Sequence, residues 1–159
     1  MLRSIAAVVV TYIVMAILII AAFTGLWLGL GPDRLLRPGS FQGNMFLCIA
    51  APSITVLVGI FGGWMCAKMA GRGRGRTPVL ALAGVVLALG LITAFFTLQK
   101  PFPADPRSAG MTMQQMMEVG REPTWLLIFN PIGGAAAVLI GGLVLGNGRK
   151  AGPGRKMGA

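Results

Sequence analysis

Residues 4–30 read SIAAVVVTYIVMAILIIAAFTGLWLGL, without a charged side chain. About 20 apolar residues in a helix cross the hydrocarbon core of a bilayer. Ser4 is a suitable N-cap, and Gly31-Pro32 is a strong stop signal. The run is also longer than the hydrophobic region of a signal peptide, which has about 7–15 residues. We therefore expect an uncleaved helix that spans a membrane.

Three further apolar runs, at about 45–70, 78–99 and 125–146, are long enough to do the same. The chain of 159 residues is 55% hydrophobic and only 11% charged, whereas a soluble domain carries about 25% charged residues. The sequence predicts an all-α integral membrane four-helix bundle over residues 1–146, with spans at about 4–30, 45–70, 78–99 and 125–146. A basic, flexible tail follows at 147–159.

The positive charges predict the orientation of this bundle. Uncompensated arginine and lysine concentrate in the N-terminus, the second loop and the tail, and cytoplasmic segments carry such an excess. Both termini are therefore expected in the cytoplasm. Arginine outnumbers lysine ten to four, which favours a bacterial inner membrane. The aromatic residues expected in an outer interfacial belt are Trp27, Phe46, Phe95, Phe96 and Trp125.

The missing residue types exclude several kinds of chemistry. The chain has no histidine, and its four acids, Asp33, Asp105, Glu118 and Glu122, all lie outside the apolar runs. Carriers coupled to protons or sodium usually hold an ionisable group within the membrane. Cys48 and Cys66 lie in one predicted helix about 27 Å apart, too far for a disulfide. We expect neither an enzyme nor a cofactor.

Small residues at four-residue spacing mark two helices as packing surfaces. In lipid such residues allow close approach of helix backbones. The predicted helix-packing residues are Gly59, Gly63 and Ala67 in the second span, and Gly133, Ala137 and Gly141 in the fourth. They are expected to line the inside of the bundle or a contact with another chain.

The same two spans share a proline followed ten residues later by Gly-Gly. Pro52 precedes Gly62-Gly63, and Pro131 precedes Gly141-Gly142. Coincidence is favoured over a duplicated hairpin, because the first and third spans share no motif. Each proline is expected to kink its helix, with Asn130 bonding across helices. The alternative is an outward-facing polar notch formed by the region of Pro52 and Asn130-Pro131.

The third loop predicts a short amphipathic helix on the outer side, with a stripe of methionines after the proline-rich segment 101–106. Thioethers select Cu(I), so a copper site is the sharper hypothesis. The favoured interpretation is adaptable packing on a membrane surface or partner. The methionines in question are Met111, Met113, Met116 and Met117.

The basic segments are expected to bind anionic lipid headgroups rather than nucleic acid. The formal net charge is +10, but the charges lie in short blocks beside apolar runs. The predicted headgroup-binding residues are Arg72, Arg74, Arg76, Arg149 and Lys150.

The resulting functional hypothesis is a structural or accessory subunit that packs against other membrane protein subunits or against itself. The first alternative is a small transporter or channel component. The second is a Cu(I)-handling factor on the outer side that uses the methionines of the third loop.

Overall fold

A computed structural model describes residues 2–71, 76–100, 112, 115, 119–120 and 122–146. Four long helices dominate these ranges: α1 (Leu2–Leu30), α3 (Met45–Ala70), α4 (Arg76–Gln99) and α5 (Thr124–Leu139), which continues as a π-helix over Ile140–Leu145. The short helix α2 (Pro32–Leu35) lies between α1 and α3. The described residues are thus all-α, as predicted, and contain no strand.

All four long helices are apolar and long enough to cross a membrane. Their outer surfaces carry large apolar side chains, such as Ile20 and Leu57, which are 65% and 68% exposed. A surface of this kind marks contact with lipid or with another protein. The prediction of four candidate spans is therefore confirmed.

The connection between α1 and α3 closes into a compact turn. The Leu36 and Gly43 backbones form an antiparallel bridge, and Arg37 donates its N–H to the carbonyl of Gln42 at 2.8 Å. Leu35 and Leu36 are fully buried here together with Trp27 and Leu47. Trp27 therefore does not belong to the expected aromatic belt, because it packs under this turn.

Asn44 fixes the start of α3. Its Oδ1 accepts from the Leu47 N–H at 3.0 Å, the usual geometry of an N-cap. Its Nδ2 donates to the carbonyl of Arg34. A single side chain thus caps α3 and ties it to the end of α2.

The helices alternate in direction. Arg3 at the start of α1 donates from Nε to the carbonyl of Met69 near the end of α3 at 3.0 Å. The start of α4 and the end of α5 lie at this same end, because Val79 contacts Gly142. We call it the Arg3 end. The opposite end, with the α2 turn and Pro123, is called the Glu122 end.

The main core lies between α1, α3, α4 and α5. Its fully buried side chains include Cys66, Val79, Leu82 and Val138. The helix α3 packs along α5, while α1 covers α3 and α4 covers α5. This arrangement makes α3 and α5 the central pair.

Candidate functional site

The closest helix contact joins α3 and α5 through small residues. A Cβ atom built on Gly59 would lie 2.7 Å from the Cβ of Ala137. One built on Gly63 would collide with the carbonyl oxygen of Val138, and one built on Gly141 would collide with that of Ile60. Real Cβ atoms essentially never come within 3.0 Å of such neighbours, so these positions accept only glycine at this helix separation.

The end of the same contact involves Ala67. Its Cβ would lie 2.5 Å from a Cβ atom on Gly146. The structure thus brings Gly59, Gly63, Ala67, Ala137 and Gly141 together in one seam, which we call the α3–α5 seam. Gly133 lies outside it, because a Cβ there would meet only the ring of Phe129 on its own helix.

The two Gly-Gly pairs meet within the seam. A Cβ on Gly63 would lie 2.7 Å from the backbone nitrogen of Gly142, and one on Gly142 would lie 3.0 Å from the carbonyl oxygen of Gly63. The contacts advance along both helices together, so α3 and α5 run parallel. The two segments that share the proline and Gly-Gly spacing are therefore direct neighbours.

The row of small residues on α5 that includes Gly142 lies beside the seam and faces α4 as well as α3. A Cβ on Gly142 would lie 2.5 Å from both methyl groups of Val79. Further along, a Cβ on Gly90 of α4 would lie 2.7 Å from the Cβ of Pro131. The proline ring of α5 thus fills the space that the missing side chain of Gly90 leaves.

Three helical glycines lie where no neighbouring atom requires the absence of a side chain. A Cβ built on Gly25 or Gly29 of α1, or on Gly84 of α4, would meet nothing within 4 Å. Gly25 and Gly29 continue an exposed row with Ala21, and Gly84 lies in an exposed row between Ala81 and Ala88. We call these two surfaces the open rows. They resemble the seam in composition but face away from the chain.

Of the predicted headgroup-binding residues, the structure describes Arg76. Its side chain is exposed at the start of α4, at the Arg3 end. Lys68 also lies at this end, with its Nζ 5.8 Å from the centre of the Trp64 ring. Arg72, Arg74, Arg149 and Lys150 lie outside the described residues.

The proline in α3 is accompanied by local hydroxyl bonds. Pro52 has no N–H, so it leaves the carbonyl of Cys48 without its helical donor. Ser53 Oγ donates to the carbonyl of Ile49 at 2.7 Å, and Thr55 Oγ1 donates to that of Ala51 at 3.0 Å. Neither hydroxyl bonds to the carbonyl that the proline frees.

Asn130 binds a partner that the sequence did not predict. Its Nδ2 donates to Oε2 of Glu122 at 3.1 Å, although Glu122 precedes the helix by two residues. Its Oδ1 is buried and has no hydrogen-bond partner among the described residues. Burial raises the pKa of the Glu122 carboxyl above its usual range. A carboxyl group and an unsatisfied amide oxygen thus lie side by side at the Glu122 end.

The sequence contains only a weak signal for the contact between Glu122 and Asn130. Glu122 stands just before Pro123 and Thr124, so it has the features of a loop acid beside a helix N-terminus. No side chain caps α5, and the carboxyl instead accepts from Asn130 within the apolar run. The contact joins residues eight positions apart, and residue spacing alone does not reveal it.

The third loop contains a local cap among its described residues. The Thr112 N–H donates to Oε1 of Gln115 at 2.9 Å, and the Gln115 N–H donates to Oγ1 of Thr112 at 3.3 Å. This reciprocal pair is a capping box. Met111, Met113, Met116 and Met117 lie outside the described residues. Within the described ranges, no group of three His, Cys, Asp or Glu side chains is arranged to hold a metal ion.

Comparisons with known proteins give no relative on which to base a function. No protein family model, no curated protein and no solved structure matches the chain.

Proposed function

We propose that this chain is a multi-pass membrane protein that acts as a structural or accessory subunit of a larger membrane complex. The open rows on α1 and α4 carry this proposal. Glycine inside a helix costs about 1 kcal/mol relative to alanine, and Gly25, Gly29 and Gly84 contact nothing that would require it. Small residues on a lipid-facing surface let a second helix approach closely.

The α3–α5 seam supports this proposal, because it shows how similar rows of small residues pack inside the chain. Within the α3–α5 seam, glycine residues allow contact with the backbone of the other helix. The open rows have the same composition and no partner among the residues that the structure describes. A helix of another subunit, or of a second copy of this protein, fits the same geometry.

The test uses leucine substitutions in the open rows. Because nothing lies near them, Gly25→Leu with Gly29→Leu, and separately Gly84→Leu, leave the fold of the chain intact. The added leucine side chains occupy the space above the open rows, so a helix of another subunit that packs there is released. The matched control is Ala6→Leu, at another exposed position of α1.

Gentle solubilisation and native mass spectrometry provide the readout. We expect a companion chain, or a second copy, in the unaltered protein and in Ala6→Leu, with at least about a tenfold loss in one glycine variant, equal to 1.4 kcal/mol. A single homogeneous chain in the unaltered protein contradicts the proposal. So does a companion that all variants retain equally.

The proposed location is a bacterial inner membrane with both termini in the cytoplasm. The clustering of Arg3, Lys68 and Arg76 at one end supports this orientation. Each positive charge near an anionic membrane surface contributes about 1 kcal/mol of attraction. The exposed Arg76, together with Arg72, Arg74, Arg149 and Lys150 in the sequence, would bind anionic headgroups there.

A small transporter or channel component is the second candidate function. The observation that favours it is the Glu122 carboxyl bound to Asn130, which lies within the candidate span Thr124–Leu145. Glu122 itself lies just outside this span, and ionisable groups that contact the membrane interior often mark ion or proton pathways. Ion flux through vesicles that contain only this protein, abolished by Glu122→Ala, would favour it over the accessory role.

A further inference from the structure

The side chains of Glu122 and Asn130 leave one hydrogen bond unmade. In the observed geometry, Nδ2 of Asn130 donates to Oε2 of Glu122 at 3.1 Å, while the buried Oδ1 of Asn130 receives no bond from the described residues. A buried polar atom without a partner costs about 1–3 kcal/mol. An ionised carboxylate has only acceptor oxygens, so it cannot remove this cost.

A neutral carboxylic acid removes the mismatch. Its O–H is a donor, and its second oxygen remains an acceptor. A carboxylic acid and a primary amide can therefore pair through two parallel bonds: O–H to the amide oxygen, and amide N–H to the acid carbonyl.

The positive side chains at the Glu122 end include Arg34 and Arg37 of the α2 turn and Lys100 after α4, but among the described residues the bond of the Glu122 carboxyl is to Asn130 and not to any of them. The helices α3, α4 and α5 meet around Pro131, and their ionisable side chains are Cys48, Cys66, Lys68 and Arg76. Cys66, Lys68 and Arg76 lie toward the Arg3 end, which leaves Cys48 on α3 toward the Glu122 end. Lys100 follows α4 with an exposed side chain, and Arg121, beside Glu122 in the chain, lies outside the described residues.

The local backbone adds a further acceptor. Pro131 cannot donate to the carbonyl of Leu127, four residues earlier. The amide oxygen and this carbonyl are acceptors on the first turns of α5, and the carboxylate just before the helix is an acceptor as well. The packing of Gly90 against Pro131 keeps α4 close to this region. Among the described residues no donor reaches the amide oxygen, and a proton supplies one without needing space.

We propose that Glu122 and Asn130 form a proton-binding site at the Glu122 end of the bundle. The carboxylate takes one proton from water and becomes a neutral acid, with no other bond made or broken. Its new O–H donates to Asn130 Oδ1, and Nδ2 donates to the remaining carboxyl oxygen. Release of the proton leaves a single bond between the side chains and an unsatisfied amide oxygen.

Binding of the proton controls how firmly the end of the third loop is attached to α5. The neutral pair holds Glu122 and Pro123 against the helix through two bonds. The charged form prefers water, because burial of an ionised carboxylate is costly. This site goes beyond the accessory role and does not depend on it, since it involves only residues of one chain.

Infrared spectroscopy of the protein in lipid vesicles tests the site directly. A protonated carboxyl shows a C=O stretch that is separate from that of a carboxylate. We expect such a band to persist above the pH at which an ordinary glutamate ionises, to be lost in Glu122→Gln and to be retained in Glu118→Gln, which removes another acid of the same loop. In Asn130→Leu the band moves to higher frequency, because its hydrogen bonds to the amide are lost.

Two results would overturn the proposal. The first is that the unaltered protein shows no protonated carboxyl band above the pH at which an ordinary glutamate ionises, or that Glu122→Gln leaves such a band unchanged. The second is a Glu122 band with the same frequency in Asn130→Leu, which would show a protonated acid without the amide pair. If Glu122→Gln does not fold, Glu122→Asp keeps the acid and changes its reach, and an unshifted band in this variant contradicts the site.

Discussion

Gly63 of α3 faces the carbonyl oxygen of Val138 in α5 so closely that a Cβ atom would collide with it. The obstacle is backbone on the central helix, which cannot rotate away as a side chain does. The contact therefore fixes the distance between the two central helices. In lipid, where apolar surfaces gain little by leaving the solvent, such close packing is what holds helices together.

The first prediction concerns Gly63→Ala. The added methyl group has to push α3 and α5 apart, and overpacking of this kind costs about 1–3 kcal/mol. Gly62→Ala is a matched comparison on the adjacent residue, because its methyl group would meet only the Met15 side chain. Methionine is flexible and can shift, so we expect the smaller loss there. Unfolding of both variants in mixed micelles measures the difference.

Two further variants complete this test. Gly84→Ala, in open space, should leave stability unchanged or raise it by up to about 1 kcal/mol through helix propensity. Adding Met15→Ala to Gly62→Ala should recover the part of the stability loss that comes from collision between the new methyl group and the Met15 side chain. Equal losses at Gly62 and Gly63 would contradict the view that backbone contact dominates the seam.

The four long helices were predictable because each is a nearly unbroken apolar run closed by clear boundary residues. Asn44 precedes α3 as its cap, and Gly31 and Gly71 follow helices with φ of 74° and 87°. Such local signals do not depend on the rest of the fold. The short helix α2 and the turn after it were not predicted, because their stability comes from Leu35 and Leu36 packing under Trp27.

The packing residues were harder to interpret from the sequence. A row of small residues shows that a backbone can be approached, but not by which helix. The rows of α3 and α5 meet each other, whereas the rows at Gly25 and Gly84 face outward. The π-helical turn after Leu139 has no sequence signal of its own. It occurs where Gly141 lies against the carbonyl of Ile60.

The second prediction concerns the cap of α3. Asn44→Ala removes both the cap bond to Leu47 and the bond to the Arg34 carbonyl, and loss of an N-cap costs about 0.5–2 kcal/mol. Asn44→Asp keeps an acceptor for the cap but has no N–H for Arg34. We therefore expect the Asp variant to unfold thermally between the unaltered protein and the Ala variant. Equal stability of the two variants would show that the cap bond contributes little.

The third prediction concerns the orientation in the membrane. In a chain with Cys48→Ala and Cys66→Ala, single cysteines at Gln42 and Thr77 lie at opposite ends of the bundle, both on exposed positions. If the Arg3 end is cytoplasmic, an impermeant thiol reagent labels Gln42→Cys in intact cells, and it labels Thr77→Cys only after lysis. The reverse pattern would invert the proposed topology.

The fourth prediction concerns the pH dependence of stability. Burial raises the pKa of Glu122 in the folded chain, so the folded state binds its proton more tightly than the unfolded state does. The contribution of Glu122 to the free energy of unfolding is therefore fully present below the ordinary glutamate pKa, and it is lost as the pH rises through the higher folded pKa. Glu122→Gln keeps a neutral side chain at every pH, so it loses less stability than the unaltered protein over this window. Unfolding of both proteins across a pH series measures the difference, and Glu118→Gln corrects for the other acids. Parallel curves for the unaltered protein and Glu122→Gln would mean that the carboxyl is ionised with the same ease in both states, and the pair with Asn130 would then hold no proton.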